Sequence, residues 1–180
     1  LDYQRKSHIE IGEIYFWTAT IHQWQHLLLD DRYKEVIVGS LEYLSAALKV
    51  DVFGFVIMPN HVHVIWRMLA QNGSELPHAS LLKYTAHQFK KMLVADGGAL
   101  ASYAVEANNK SHEFWQRDSL AVPLYTKTMA YQKLDYLHQN PLAEHWSLAK
   151  DPCEYKYSTA RFYEQGINDF GFTKDLREEF

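Results

Sequence analysis

The stretch Phe53-Gly54-Phe55-Val56-Ile57-Met58-Pro59-Asn60-His61-Val62-His63-Val64-Ile65-Trp66 decides how the rest of the chain is read. Two apolar runs flank a Met58-Pro59-Asn60 break, predicting strands over Val52–Met58 and His61–Met68 joined by a short turn. So short a link cannot make a parallel crossover, and the pair reads as an antiparallel hairpin. Side chains alternate faces along a strand, so His61 and His63 point one way while Val62 and Val64 point the other. Two imidazoles on one sheet face are half of a metal site. For an isolated His-x-His the ordinary reading is two half-buried, hydrogen-bonded histidines, so the remaining ligands must be sought elsewhere.

Upstream, Ile11–Ile21 is rich in β-branched and aromatic residues and predicts a strand. Asp30 or Asp31 is placed to cap a helix over Arg32–Leu48, where Val36, Ile37, Leu41, Leu44 and Leu48 recur at helical spacing. Downstream, Gln71–His78 reads as a polar loop, and Ser80 as the N-cap of a helix from Leu81 to about Val94, closed by Gly97-Gly98. Asn108–His112 reads as loop, Phe114–Arg117 as a short strand, and Lys127–Gln139 as a third helix that Pro141 limits. A short helix near Ser158–Tyr163 and a charged tail complete the chain. This order predicts an α+β, ferredoxin-like sandwich, a central antiparallel sheet with the helices packed on one face.

The chain has 180 residues, which suits one domain spanning 1–180, and its 47% hydrophobic and 22% charged composition is that of a folded protein. A formal net charge of −4 is unfavourable for a general nucleic-acid binder, so any such role needs a local basic surface. Lys83, Lys90 and Lys91 lie in a stretch without acidic residues and offer one. The single Cys153 forms no internal disulfide, which fits a reducing cytosol. No apolar run approaches membrane-spanning length, so no membrane partner is expected. The N-terminus lacks the apolar core of a signal peptide, and the sequence starts at Leu1, as though inside a longer gene product.

The missing half of the metal site is sought on the third helix, in Tyr136-Leu137-His138-Gln139-Asn140. Residues four apart share a helix face, so Tyr136 and Asn140 project together. Packed over the histidine strand, that face brings an amide ligand to the imidazoles and a tyrosine hydroxyl beside them. Taken singly, Tyr136 is an ordinary core aromatic and Asn140 an ordinary helix cap; the joint spacing carries the argument. Tyr125, Tyr131, Tyr155, Tyr157 and Tyr163 are rival nucleophiles, but none precedes an Asn or Gln by four residues with a helix-ending proline behind it.

These segments carry a family resemblance. Met58-Pro59-Asn60-His61-Val62-His63 resembles the Met-Pro-Asn-His-hydrophobic-His segment of single-tyrosine HUH transposases, and Tyr136-Leu137-His138-Gln139-Asn140-Pro141 resembles their Tyr-Ile-His-x-Asn-Pro segment. Phe114-Trp115-Gln116-Arg117 and Tyr155–Ala160 are similar to the REP-associated branch. The resemblance implies a metal-dependent transposase-like endonuclease and strand transferase that acts on single-stranded or hairpin DNA. It carries the metal ligands onto His61, His63 and Asn140, and the nucleophile, which would form a 5′-phosphotyrosine and free a 3′-hydroxyl, onto Tyr136.

The chemistry needs such groups. A divalent ion on a non-bridging oxygen neutralises the charge that repels a nucleophile, and Mg²⁺ or Mn²⁺ is expected, with imidazole ligands favouring Mn²⁺ in vitro. Arg117, Lys127, Lys83, Lys90 and Lys91 are the candidate DNA-binding cations. The resemblance further implies a monomer or homodimer in the bacterial cytoplasm, associated with the nucleoid. The alternative is a non-catalytic DNA-hairpin-binding regulator of the same fold. One departure is noted: after Pro141 the chain reads Leu142-Ala143-Glu144-His145-Trp146, where the family often has a more basic, Gly-containing run.

Overall fold

The computed structural model describes residues 8–107 and 110–180. The first seven residues and residues 108 and 109 of the expected 108–112 loop lie outside the described residues. The elements run β1 (Ile14–Thr20), α1 (Asp31–Ala46), β2 (Val50–Ile57), β3 (His61–Met68), α2 (Pro77–Ala95), β4 (Ala104–Ala107), β5 (Lys110–His112), β6 (Leu120–Pro123), α3 (Lys127–Gln139) and α4 (Ala160–Gln165). β2, β3, β1 and β6 form a sheet in that order, and every neighbouring pair is antiparallel. The expected hairpin is β2–β3, and the sandwich of antiparallel sheet and helices is as the element order implied.

Alternation sorts the apolar residues onto two faces. Tyr15, Trp17 and Ala19 of β1 join Val62, Val64, Trp66 and Met68 of β3 on one face, covered by Ile37, Leu41 and Leu44 of α1 and by Leu81 and Phe89 of α2. Ile14, Phe16 and Ile65 face the other way and pack with Ala130, Leu134 and Leu137 of α3. The helices therefore occupy both faces, not one. This corrects the sequence expectation, and the cause is a second apolar stripe, which the sheet must cover because burial of each such side chain is worth roughly 1.5–3 kcal/mol.

Local chemistry sets where the elements begin and which segments form strands. α1 starts as expected, with the Asp30 carboxylate accepting from the Arg32 amide at 2.9 Å. α2 starts earlier than the Ser80 cap implied, because Pro77 takes the first helical position, where its missing N–H costs nothing. Ser80 instead donates to the Pro77 carbonyl. Phe114–Arg117 contributes an isolated bridge between Trp115 and Ile21 and no strand. The fourth strand is β6, whose terminal proline is tolerated because it lies at a sheet edge.

The approach of α3 depends on Gly54. The β2–β3 register shifts between Val52 and Gly54, and a Cβ at Gly54 would sit 2.8 Å from Leu134 Cδ1 and 3.3 Å from Thr159 Oγ1. A larger residue there collides with the buried Leu134 and Thr159 side chains, which must shift to admit it. Gly54→Val is expected to destabilise the protein by about 1–3 kcal/mol in urea unfolding. Gly39→Ala, in the exposed middle of α1 with nothing near its Cβ, is expected to stabilise it by about 0.5–1 kcal/mol. Equal effects of the two substitutions would contradict this packing.

Candidate active site

The first turn of β3 builds the site floor. Thr20 pairs with His61 and Thr18 with His63 across β1–β3, so two hydroxyl residues and two imidazoles share the α3 face. His63 is only 6% exposed, stacks on Phe16 at 4.9 Å between ring centroids, and shares a 2.7 Å hydrogen bond between its Nδ1 and Thr18 Oγ1. His61 holds Asn60 Oδ1 at 2.6 Å through its own Nδ1, and its ring lies 4.7 Å from that of His63. A carboxamide oxygen only accepts, so His61 Nδ1 carries the proton and its Nε2 keeps a lone pair. The Thr18 hydroxyl can accept from His63 Nδ1, and in that tautomer the ring's Nε2 is left for a ligand.

α3 supplies the roof. Thr126 caps it, accepting from the Met129 amide, and Leu134 and Leu137 bury its apolar stripe. The adjoining face carries Tyr136 and Asn140. The Tyr136 ring lies 5.6 Å from His63 and 6.0 Å from Phe16, and the residue is 51% exposed. Asn140 lines one cleft together with His61 and Tyr136. Lys133 Nζ stands 4.9 Å from the Phe16 ring and 5.5 Å from that of Tyr136, bringing a cation to the same spot. His61, His63, Tyr136 and Asn140, chosen from sequence on two distant segments, are thus neighbours.

Burial sets the protonation of the pair. Desolvation pushes His63 down to about 3, with the positive charges of His61 and Lys133 adding to it. Burial likewise pushes His61 down to about 4, opposed by the Asn140 side chain and assisted by His145. Both rings are neutral near pH 7, the form in which imidazole ligates metals. Two neutral imidazole nitrogens with engaged Nδ1 atoms and an adjacent carboxamide oxygen suit a divalent ion, and the side chains holding those Nδ1 atoms fix ring orientation as partners of ligating histidines do.

Three of the five rival tyrosines are engaged elsewhere. Tyr155 donates to the Ile57 carbonyl at 2.7 Å and Tyr163 to the Phe53 carbonyl at 2.6 Å, and burial pushes both hydroxyls well up. Tyr157 donates to Glu35. His138 is buried and ties α3 to Thr159 through a 2.9 Å contact. Trp115 is buried, its Nε1 donating to Thr85 Oγ1 at 2.9 Å.

The candidate DNA-binding cations separate into two sets. Lys83, Lys90 and Arg117 line an open cleft of about 810 Å³ between α2 and the 110–119 segment, joined there by Lys110. Three of these cations are paired: Lys83 with Glu75, and Lys110 and Arg117 with Glu113. Lys91 is outside that lining, and Lys127 lies at the start of α3 over the Tyr131 ring. The cleft adjoins the histidine floor through the sheet edge, since the Gln116 amide donates to the carbonyl of Thr20, the partner of His61.

Thr18, Asn60, Phe16 and Trp146 were not legible as site residues. Only the alternation Phe16-Trp17-Thr18-Ala19-Thr20, with polar groups at every second position of an otherwise apolar strand, hints that this face meets something polar. Trp146 lies in irregular chain, which has no periodicity to read.

No protein-family model and no curated protein matches the chain. Among solved structures it is similar to a REP-associated tyrosine transposase bound to a REP hairpin, with a TM-score of 0.62 and 19% identity, covering 98% of this chain and 93% of that one. At that identity the likeness speaks for the shared fold.

Acid sensitivity follows from the buried rings. His61, His63 and His138, the last also pushed down to about 4 by burial, are neutral in the fold but titrate near 6.5 once unfolded. The unfolded chain therefore binds more protons below that value, and stability falls as pH drops from 6.5 towards 4. The slope approaches about 1.4 kcal/mol per pH unit for each histidine. Denaturant unfolding is expected to be flat above about pH 7 and to weaken by pH 5, above the carboxylate range, with His63→Gln lessening the slope. A profile flat from pH 7 to about 5 would contradict the buried neutral rings.

Proposed function

We propose that this protein is a metal-dependent, transposase-like enzyme of the single-tyrosine HUH type, which nicks and rejoins single-stranded or hairpin DNA. The observation that carries the proposal is the convergence of His61 and His63 on β3 with Tyr136 and Asn140, one helical turn apart on α3. The fold shared with a hairpin-bound tyrosine transposase supports it.

His61, His63 and Asn140 would hold Mg²⁺ or Mn²⁺, which would supply charge neutralisation at a non-bridging phosphate oxygen. Tyr136, at the open edge of the site, supplies the nucleophile: its Oη forms a bond to phosphorus as the bond to O3′ breaks. The departing 3′ oxygen takes up a proton, and the phenol proton passes to solvent through the cleft. The 5′-phosphotyrosine conserves the ester bond, so a 3′-hydroxyl attacking it rejoins the strand without ATP. Lys133 adds positive charge beside Tyr136 and Phe16. No carboxylate lines the cleft at Tyr136, which keeps the site attractive to an anion.

Binding of the DNA body falls to the larger cleft, where Lys83, Lys90, Lys110 and Arg117 outnumber the carboxylates of Glu113 and Asp118. This local excess answers the net charge of −4. Lys127 and Lys91 are the outlying members of the DNA-binding set.

Incubation of labelled single-stranded or hairpin DNA with Mn²⁺ is expected to give a covalent protein–DNA adduct that disappears in Tyr136→Phe and falls at least about a hundredfold in His63→Ala. An adduct that survives Tyr136→Phe overturns the assignment of the nucleophile. Metal-independent hairpin binding with no cleavage in any divalent ion favours the non-catalytic regulator. Replacing Lys83 and Lys90 by Ala is expected to lower the slope of log affinity against log salt by about 2, and an unchanged slope would remove that cleft from the DNA path.

A further inference from the structure

Beside the site, on the side of Asn140, lies a second cleft of about 470 Å³ whose lining includes His61, Tyr136, Gln139, Asn140, His145 and Trp146. Its volume falls within the range of about 300–1,000 Å³ typical of small-ligand pockets. No Lys, Arg, Asp or Glu lines it, which sets it apart from the cation-rich cleft between α2 and the 110–119 segment. An indole and two carboxamides are the groups that recognise a flat heterocycle, by stacking and by edge hydrogen bonds.

The indole has three imidazole neighbours. Its ring lies 6.0 Å from His61 and 5.6 Å from His26, which arrives from the segment after β1, and 5.5 Å from His145. The backbone behind it forms a tight turn: Trp146 and Ser147 amides both donate to the Ala143 carbonyl at 2.8 Å, and Leu148 donates to that of Pro141 at 2.9 Å. Ser147 is in the left-handed region at φ 48°, and its hydroxyl donates to the Glu144 carbonyl. Pro141 directly follows Asn140, so this turn fixes the indole relative to the end of α3.

Resting on the nicking function proposed above, we infer that this cleft is a nucleobase subsite: the base of a nucleotide adjoining the attacked phosphate seats there, stacked on Trp146, with Gln139 presenting its amide to the base edge. The occupant follows from continuity. His61, Tyr136 and Asn140 line the cleft as well as the catalytic centre, so a strand whose phosphate lies at the histidines places the neighbouring nucleotide at its mouth. Seating the base sets the register of the strand, and with it which phosphate Tyr136 meets. Trp146 and Gln139 are positioning residues in this scheme, since neither touches the reacting atoms.

The test uses the full chain carrying Tyr136→Phe, so that binding is read without cleavage, in Mn²⁺ with fluorescein-labelled probes. One probe is a 12-residue oligothymidylate, and the other is the same backbone with every base removed. The Trp146-containing protein is expected to prefer the base-bearing probe by roughly 5- to 150-fold, the range for one base stacked on an aromatic side chain. Trp146→Ala is expected to erase most of that preference while leaving affinity for the abasic probe unchanged, and Trp146→Phe to keep most of it. A preference that persists in Trp146→Ala overturns the subsite, as does loss of affinity for both probes alike in Trp146→Phe. Adduct formation by the protein with Tyr136 intact separates the two claims. Adduct with a Trp146-independent base preference sinks the subsite alone; a Trp146-dependent preference with no adduct upholds the subsite and sinks the nicking function.

Discussion

The pairing of β1 with β3 is the constraint on which the rest depends. Antiparallel register sets Thr18 opposite His63 and Thr20 opposite His61, and strand alternation then commits both rings to the face away from Val62, Val64 and Trp66. A slip of one residue would bury the valines under α3 and turn the imidazoles into the core beneath α1 and α2. That outcome is costly on both faces, so the packing of a purely apolar layer fixes the placement of the polar one. Phe16, Ile65 and Leu137 close the second layer around the rings, and Gly54 lets α3 come close enough to present Tyr136 and Asn140.

The same burial determines the electrostatics. Out of water and near Lys133, the imidazoles cannot carry charge at neutral pH, and their Nδ1 atoms are committed to Thr18 and Asn60. What remains toward the cleft is the His61 ring beside the Asn140 carboxamide, with Tyr136 exposed at the edge. Tyr155 and Tyr163 show the opposite arrangement, with hydroxyls spent on backbone carbonyls in the interior. Exposure and freedom from such bonds distinguish the proposed nucleophile from Tyr155 and Tyr163.

Much of this was legible because it is periodic. α1, α3 and the β2–β3 hairpin follow apolar spacings that the residues state openly, and Tyr136 with Asn140 follows from the helical repeat. β6 escaped because Leu-Ala-Val-Pro is short and ends in proline, and the expectation of helices on one face failed because element order does not say which side of a sheet a helix takes. Lys83 and Lys90 could be read as one helix stripe, but Glu75 and Glu113 reach the basic cleft only through tertiary structure. Trp146 is the clearest case of a residue beyond sequence reading: its position comes from a turn with one left-handed residue, and its partners His26 and His61 from separate segments.

The central claim is that His61, His63 and Asn140 form one divalent-ion site beside Tyr136. Titration of the full chain with Mn²⁺ near pH 7.5, followed by the loss of the free-ion electron paramagnetic resonance signal, tests it most directly. The account predicts one bound ion per chain, abolished by His61→Ala or His63→Ala, weakened by Asn140→Ala and unchanged by Tyr136→Phe. Mn²⁺ binding that is indifferent to both histidines would contradict it.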